Sequence, residues 1–345
     1  MVSGVKPDAI FTNTFIINLP VYPMVLTVTL NPLLERRLYF DKVVQGRVNR
    51  SADDTFTAGG KGINVSRQLN QLDIENSAFT FLGGNNGKII RRILTEEKID
   101  FTFVSTKSET RSATLTIEEK ENKLTHLFGL NSAISKIESD EFRTRLKKMI
   151  QNCSVVVFSG SSPSPETDNI FSQGIEWANE FDKISILDTY GKHLSSCIEK
   201  GPTVIHNNIQ ELESSLDVDL SEEKAKLDFI NFLHNKNIKL IFLTDGDKPV
   251  YAGKFNFHYK VIPPKINVID PAGSGDSFVA GIAYGLEKAL VFDDFIKIAM
   301  ALGSVNAASW NTSIVNLNEA ENLYSEISIS PIGKKMKIID DSPNY

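Results

Sequence analysis

Residues 267–285 read NVIDPAGSGDSFVAGIAYG, and the rest of the chain is read outward from this stretch. Val268 and Ile269 end a β-rich run that Asp270-Pro271 breaks. Ala272-Gly273-Ser274-Gly275 is small enough for backbone to approach a ligand closely. Asp276 and Ser277 stand where a helix should begin, with Phe278, Val279, Ile282 and Ala283 on one side of it. Amide groups at such a start point outward with the positive end of the helix dipole behind them, which makes an anion site. A carboxylate beside that site suggests phosphate chemistry with a base at hand. A plain helix cap at Asp276 is the competing reading, and the stretch alone leaves both open.

The whole chain sets wider bounds. Its 345 residues allow one large or two small domains, and 41% apolar with 23% charged residues is an ordinary globular composition. A net charge of −6 leaves no electrostatic footprint for nucleic acid or an anionic membrane, and no apolar run reaches a membrane span. Cys153 and Cys197 are the only cysteines and read as buried hydrophobes in a reducing compartment, hence a cytoplasmic protein. The five histidines show no paired metal-ligand spacing.

Taken in order, residues 1–23 form an extension expected to be disordered, and the domain proper starts near Met24, before the strand Val25–Leu30. From there strands alternate with helices, including a helix from Gly87 to Lys98 and a hairpin about Gly253-Lys254. This alternation argues a doubly wound, mostly parallel α/β sheet flanked by helices. Several early strands are polar on alternate positions and do not fit a sheet buried on both faces. They are assigned to a small β-sheet lid drawn from about 35–58 and 101–130. The main domain is expected to span 24–327, with 328–345 a poorly ordered tail.

Two glycine-rich stretches, 58–62 and 272–275, are neither a GxGxxG dinucleotide fingerprint nor a P-loop. Together they suit a reaction with two phosphate-bearing or polar partners, each on its own backbone amides. Four motifs then resemble the ribokinase-like carbohydrate kinases of the PfkB family, in the branch that holds 1-phosphofructokinase and tagatose-6-phosphate kinase. They are Thr29-Leu30-Asn31-Pro32 with Glu35, Ala58 to Val65, Ser159-Gly160-Ser161, and Asp270 to Phe278. The resemblance runs from Met24 to about residue 325.

The resemblance implies roles. Asp276 would be the base for a sugar hydroxyl, and Ala272, Gly273, Ser274 and Gly275 the anion hole for the moving γ-phosphoryl group. The sugar side would come from Asn31, Glu35, Gly59, Gly60, Lys61 and Asn64, with Arg111 and Ser161 at a sugar phosphate. ATP would lie against Asn208, Thr244, Asp245, Gly246 and Asn306, with Mg2+ near Asn208 and Glu211, the ends of an NxxE motif. Lys61 at a helix start is out of place unless it meets an anion, which points to a phosphorylated substrate. Four departures from the family pattern bear on substrate choice and ATP binding. Glu35 replaces an Asp, His206 replaces a lysine near the ATP phosphates, and residues 129–132 and 161–165 depart from the branch's loops. The implied activity is phosphorylation of a ketohexose monophosphate, most like that of 1-phosphofructokinase. A kinase for tagatose 6-phosphate, a 6-phosphofructokinase and an impaired sugar-phosphate-binding protein are the alternatives. Half-exposed lid strands suggest a homodimer through the lid.

Overall fold

Neighbouring residues of the first strand go to opposite sides: Val25 packs into one core, and Leu26 and Val28 into another. That period-two alternation, apolar on both faces, is what a sheet covered on both sides requires. The computed structural model describes residues 25–121 and 123–333. Along the chain, β1 (Val25–Thr29), β2 (Leu33–Tyr39), β3 (Asp53–Gly59), α1 (Lys61–Gln71), β4 (Asn76–Gly83) and α2 (Gly84–Glu96) come first. Then come β5 (Phe101–Thr106), β6 (Ser112–Glu118), β7 (Lys123–Phe128), α3 (Lys136–Gln151), β8 (Val155–Ser159), α4 (Ile170–Glu180) and β9 (Ile184–Asp188). The second half holds α5 (Leu194–Glu199), β10 (Val204–Asn208), α6 (Ile209–Leu216), α7 (Glu223–Asn235) and β11 (Leu240–Thr244). It ends with β12 (Val250–Lys254), β13 (Phe257–Ile262), α8 (Ser274–Glu287), α9 (Phe292–Ala307), α10 (Leu317–Glu321) and β14 (Ser328–Ile332).

Ten strands form the main sheet in the order β14-β13-β12-β11-β10-β9-β8-β1-β4-β5. From β11 to β5 every pairing is parallel, and β12, β13 and β14 close one side antiparallel. Helices α1, α8 and α9 bury one face, through Val65, Leu69, Phe278, Val279, Ile296 and Leu302. Helices α3, α4, α6 and α7 bury the other, where the Phe142 ring stacks 3.9 Å from that of Phe79. The lid is a separate four-stranded sheet, β3-β2-β6-β7. It joins the body where Leu34 and Ala58 pack with Ile63 and with Ile90 and Leu94 of α2. This is the ribokinase-like α/β architecture with a small second sheet.

β1 is followed by β4 on one side and flanked by β8 on the other, so the winding direction reverses there. In open α/β sheets, ligands bind at the carboxyl ends of the strands at such a reversal. Asn31, Ser161, Asp188, Asn208 and Thr244 all lie at or just past those ends.

Several expectations shift. β5 pairs in parallel with β4, so 101–106 belongs to the main sheet and not to the lid. As an edge strand with one neighbour it has the half-buried alternation of a lid strand, and sequence pattern does not separate the two. Ser328–Ile332, expected in a loose tail, is the other edge strand, paired with β13. Pro331 is tolerated there because an edge strand can lack one donor. Val268 and Ile269, read as the end of a β-rich run, lie in a stretch, 263–273, that contains no strand. The last hairpin turns at Phe255-Asn256, two residues beyond Gly253-Lys254, and α2 starts at Gly84, three residues before Gly87. The expected disordered extension 1–23, and positions 334–345 of the expected tail, lie outside the described residues.

Candidate active site

A cavity of about 1150 Å³ opens between the lid and the carboxyl ends of the parallel strands. Pockets for a single drug-sized ligand run roughly 300–1,000 Å³, so this cavity exceeds the usual single-ligand size. Its floor is the start of α8. Gly273 caps that helix at φ 78°, and a Cβ there would stand 2.3 Å from the Thr312 methyl, so both conformation and space demand glycine. The Ala272 amide donates to Asp270 and the Ser274 amide to the Pro271 carbonyl. The amides of Gly273, Gly275 and Asp276 have no protein partner among the described residues. Of the four residues expected to form the anion hole, the two glycines thus have their donors free. Asn306, expected at the nucleotide, is instead buried behind this loop. It donates to the Ala272 carbonyl and the Ser274 hydroxyl, and accepts from the Ser313 amide, so it braces the turn.

Asp276 is 4% exposed. Burial pushes its carboxyl up to about 7, with nearby Asp188 and Glu211 adding to the rise and Lys61 and a hydrogen bond from Asn64 opposing it. The Asn64 amide donates to Oδ2 at 2.7 Å. An aspartate raised to near neutrality is a far better proton acceptor than an ordinary one.

Lys61 opens α1 after Gly60, whose φ of 127° puts it out of reach of other residues. Its ammonium donates to Glu211 at 2.8 Å and to Asp188 at 3.3 Å, and lies 5.2 Å from the centre of the Tyr190 ring. Burial works against that charge, but Asp188, Glu211 and Asp276 outweigh it and hold the lysine protonated. The anions that explain a cation at this helix start therefore come from the protein. Asp188, which the sequence reading missed, is fully buried at the end of β9 and also accepts from Ser159 and His206. Its burial is outweighed by Lys61 and these donors, which keep it ionised. The signal available for it was an acid closing an apolar strand at the sheet's carboxyl edge. His206 is held between Asp188 and the Thr244 hydroxyl, 5.2 Å from the Phe278 ring.

At the lid end, Arg111 donates to the Asn31 carbonyl and to the Asn131 side chain, 3.0 and 3.2 Å away, and faces the Phe128 ring. Its Nε is buried with no partner, and it has no carboxylate in ion-pair range among the described residues. The Asn31 amide donates to Ser161 and Asn131, both at 3.0 Å. Glu35 lines the cavity but is paired with Arg37 at 2.7 Å, and Arg37 continues to the Trp310 carbonyl and Thr312 hydroxyl. Gly59 and Gly60 line the same wall.

At the opposite end, Thr244 and Gly246 line a slot with Ile262, Pro263, Pro264 and Met300, apolar residues the sequence reading did not single out. Asp245 does not line it and pairs with Lys248 at 2.9 Å. Asn208 caps α6 by accepting from the Gln210 amide, which leaves its NH2 group for a ligand. Glu211 accepts from Lys61 through one oxygen, and the other is buried without a partner. Asp188, Glu211 and Asp276 around one ammonium leave net negative charge, which fits a divalent cation. Among the described residues no three ligating side chains converge on one point. A magnesium ion keeps most of its waters and binds through one or two carboxylates and substrate phosphates, so the unpartnered Glu211 oxygen would be able to hold one.

Residues 32–319 match the pattern described as pfkB family carbohydrate kinase. A tagatose-6-phosphate kinase of Staphylococcus epidermidis is 33% identical over 312 residues, covering 89% of this chain and 99% of that protein. Among solved structures, a possible 1-phosphofructokinase of Thermotoga maritima superposes with a TM-score of 0.83 at 24% identity, over 90% of this chain and all of that one. Phosphofructokinase-2 of Escherichia coli gives 0.82 at 21% identity, over 88% of this chain and 98% of that one. With the family pattern running from Pro32 past the brace at Asn306, this chain belongs to the pfkB family of carbohydrate kinases.

Proposed function

We propose that this kinase transfers the γ-phosphoryl group of ATP to the free primary hydroxyl of a ketohexose monophosphate, converting fructose 1-phosphate to fructose 1,6-bisphosphate. The observation that carries the reading is Arg111. It is a half-buried guanidinium whose Nε is buried and unpartnered, with no counter-ion among the described residues, on the cavity wall beside Asn31 and Phe128. A charge left this way is unfavourable until an anion arrives, and a phosphate accepts its fork of donors. Lys61 no longer supports this point, because its charge is already neutralised within the protein.

With the sugar phosphate at Arg111, the far hydroxyl lies toward Asp276. Asp276 takes the hydroxyl proton as the oxygen bonds to the γ-phosphorus and the bond to the ADP oxygen breaks. The glycine amides at the start of α8 hold the charge on the moving phosphoryl group. The Asn208 amide and Thr244 hydroxyl suit phosphate oxygens, and the apolar slot suits the adenine. Bound magnesium, held at Glu211, would neutralise the ATP phosphates. The lid exposes Phe56, Leu127 and Phe128, which favours a homodimer through this sheet.

The relative from S. epidermidis favours tagatose 6-phosphate as a second reading. Both sugars carry phosphate at one end and a primary hydroxyl at the other. The test is ADP release from purified protein against a panel of ketoses and ketose phosphates, with Asp276→Asn as control. Turnover is expected with a ketose monophosphate only. Arg111→Met should raise KM for that substrate about 30- to 100-fold, the loss of a charge-assisted contact of roughly 2–3 kcal/mol. No turnover above the control with any sugar refutes the kinase reading. Equal turnover with unphosphorylated ketoses refutes the role of Arg111.

A further inference from the structure

We propose that Arg67 is a positioning residue for the base: it holds the Asn64 amide in the orientation that donates to Asp276. This rests on Asp276 being the base. Asn64 and Arg67 lie one turn apart on α1, on the same face. Arg67 is only 5% exposed, and all three of its nitrogens are engaged. Nε donates to Glu97 at the end of α2 at 2.9 Å, and Nη2 donates to the Ala58 carbonyl in β3 at 2.7 Å. Those two anchors fix the guanidinium plane. Nη1 then donates to Asn64 Oδ1 at 2.8 Å.

A guanidinium carries donors and no acceptor. The Asn64 atom facing it must therefore be oxygen, which leaves the NH2 group facing Asp276. The hydrogen bond to Asp276 Oδ2, 2.7 Å long, comes from that NH2 group. The charged neighbours Lys61, Asp188 and Glu211 act on the carboxylate through their fields, whereas Asn64 donates a hydrogen bond to it. The line Glu97–Arg67–Asn64–Asp276 thus passes from the surface of α2, through the glycine-rich start of α1, to Oδ2 of the base. Without Arg67 the Asn64 side chain is free to leave Asp276, and the carboxylate loses the contact that aims its second oxygen at the hydroxyl.

The test is a double-mutant cycle on the full-length enzyme with its best ketose phosphate. Arg67→Met is expected to lower kcat about tenfold, the worth of one aligned hydrogen bond, with KM for ATP within about twofold of wild type. In an Asn64→Leu background the same change is expected to have no further effect. A full tenfold loss in that background, or an unchanged kcat in the single variant, overturns the inference. Arg67→Lys keeps the charge and most of the packing, but one ammonium cannot hold three oxygens in the guanidinium's plane. It is expected to show the same loss if the Met variant does not fold, and wild-type kcat would overturn the idea. A crystal structure of either variant decides independently of turnover. Asn64 displaced from Asp276 supports the inference, and a retained 2.7 Å contact overturns it. A protein inactive on every sugar would refute the kinase reading while leaving that crystallographic result to stand.

Discussion

The sharpest prediction concerns pH. Burial, reinforced by Asp188 and Glu211, lifts the Asp276 carboxyl to about 7 against the pull of Lys61 and Asn64. If this carboxylate must be ionised to accept the hydroxyl proton, kcat/KM follows its ionised fraction in the free enzyme. That fraction is about one-eleventh at pH 6 and about ten-elevenths at pH 8, so kcat/KM should rise about tenfold from pH 6 to pH 8. An aspartate at its ordinary value near 4 would give no change over that range. The sugar phosphate itself titrates near pH 6, so the limb is assigned by displacing it. Asn64→Leu removes the donor that favours the charged carboxylate and should move the limb to higher pH, whereas the substrate's titration stays in place. The assay is coupled ADP release at limiting ketose phosphate and saturating ATP, from pH 5.5 to 9. A flat profile between pH 6 and 8, or a limb that Asn64→Leu leaves unmoved, would refute the assignment of a raised base at Asp276.

Other outcomes follow from the same geometry. Because Asp276 has a native value above its unfolded one, the native state alone holds its proton between about pH 4 and 7, and stability falls as pH rises through that window. Asp276→Asn should therefore match wild type near pH 4 in urea denaturation and exceed it at pH 8 by at most roughly 4 kcal/mol. A less stable variant at pH 8 would contradict this. Glu211→Gln should raise the magnesium concentration for half-maximal rate about tenfold, the worth of roughly one charged ligand, and an unchanged magnesium titration would remove Glu211 from that role. Light scattering should find a dimer that Phe56→Asp with Leu127→Asp converts to monomer. A monomeric wild type ends the lid-pairing reading.

Much of the fold was legible because it is written in short-range pattern. Val25 to Thr29 alternates between two cores, and Gly60 and Gly273 stand before helices at φ 127° and 78°, where the backbone favours glycine. The family motifs placed Asp276, Asn64 and Glu211 at one cavity. What pattern could not separate was an edge strand from a lid strand, since β5 and the lid are both half-buried. It also could not distinguish a tail from β14, whose only claim to order is pairing with β13.

The site's electrostatics belong wholly to the tertiary structure. Lys61 reads from sequence as a cation awaiting a substrate phosphate, but folding brings it Asp188 and Glu211 from 127 and 150 residues away. Arg111 reads from sequence as a second cation for that phosphate, and among the described residues it has no counter-ion. The sequence alone determined which residue types stand at the strand ends and helix starts, because local backbone geometry and burial period dictate them. Only the packed structure decided which charges neutralise each other and which wait for a ligand. That depends on distance and desolvation between groups the chain brings together from far apart.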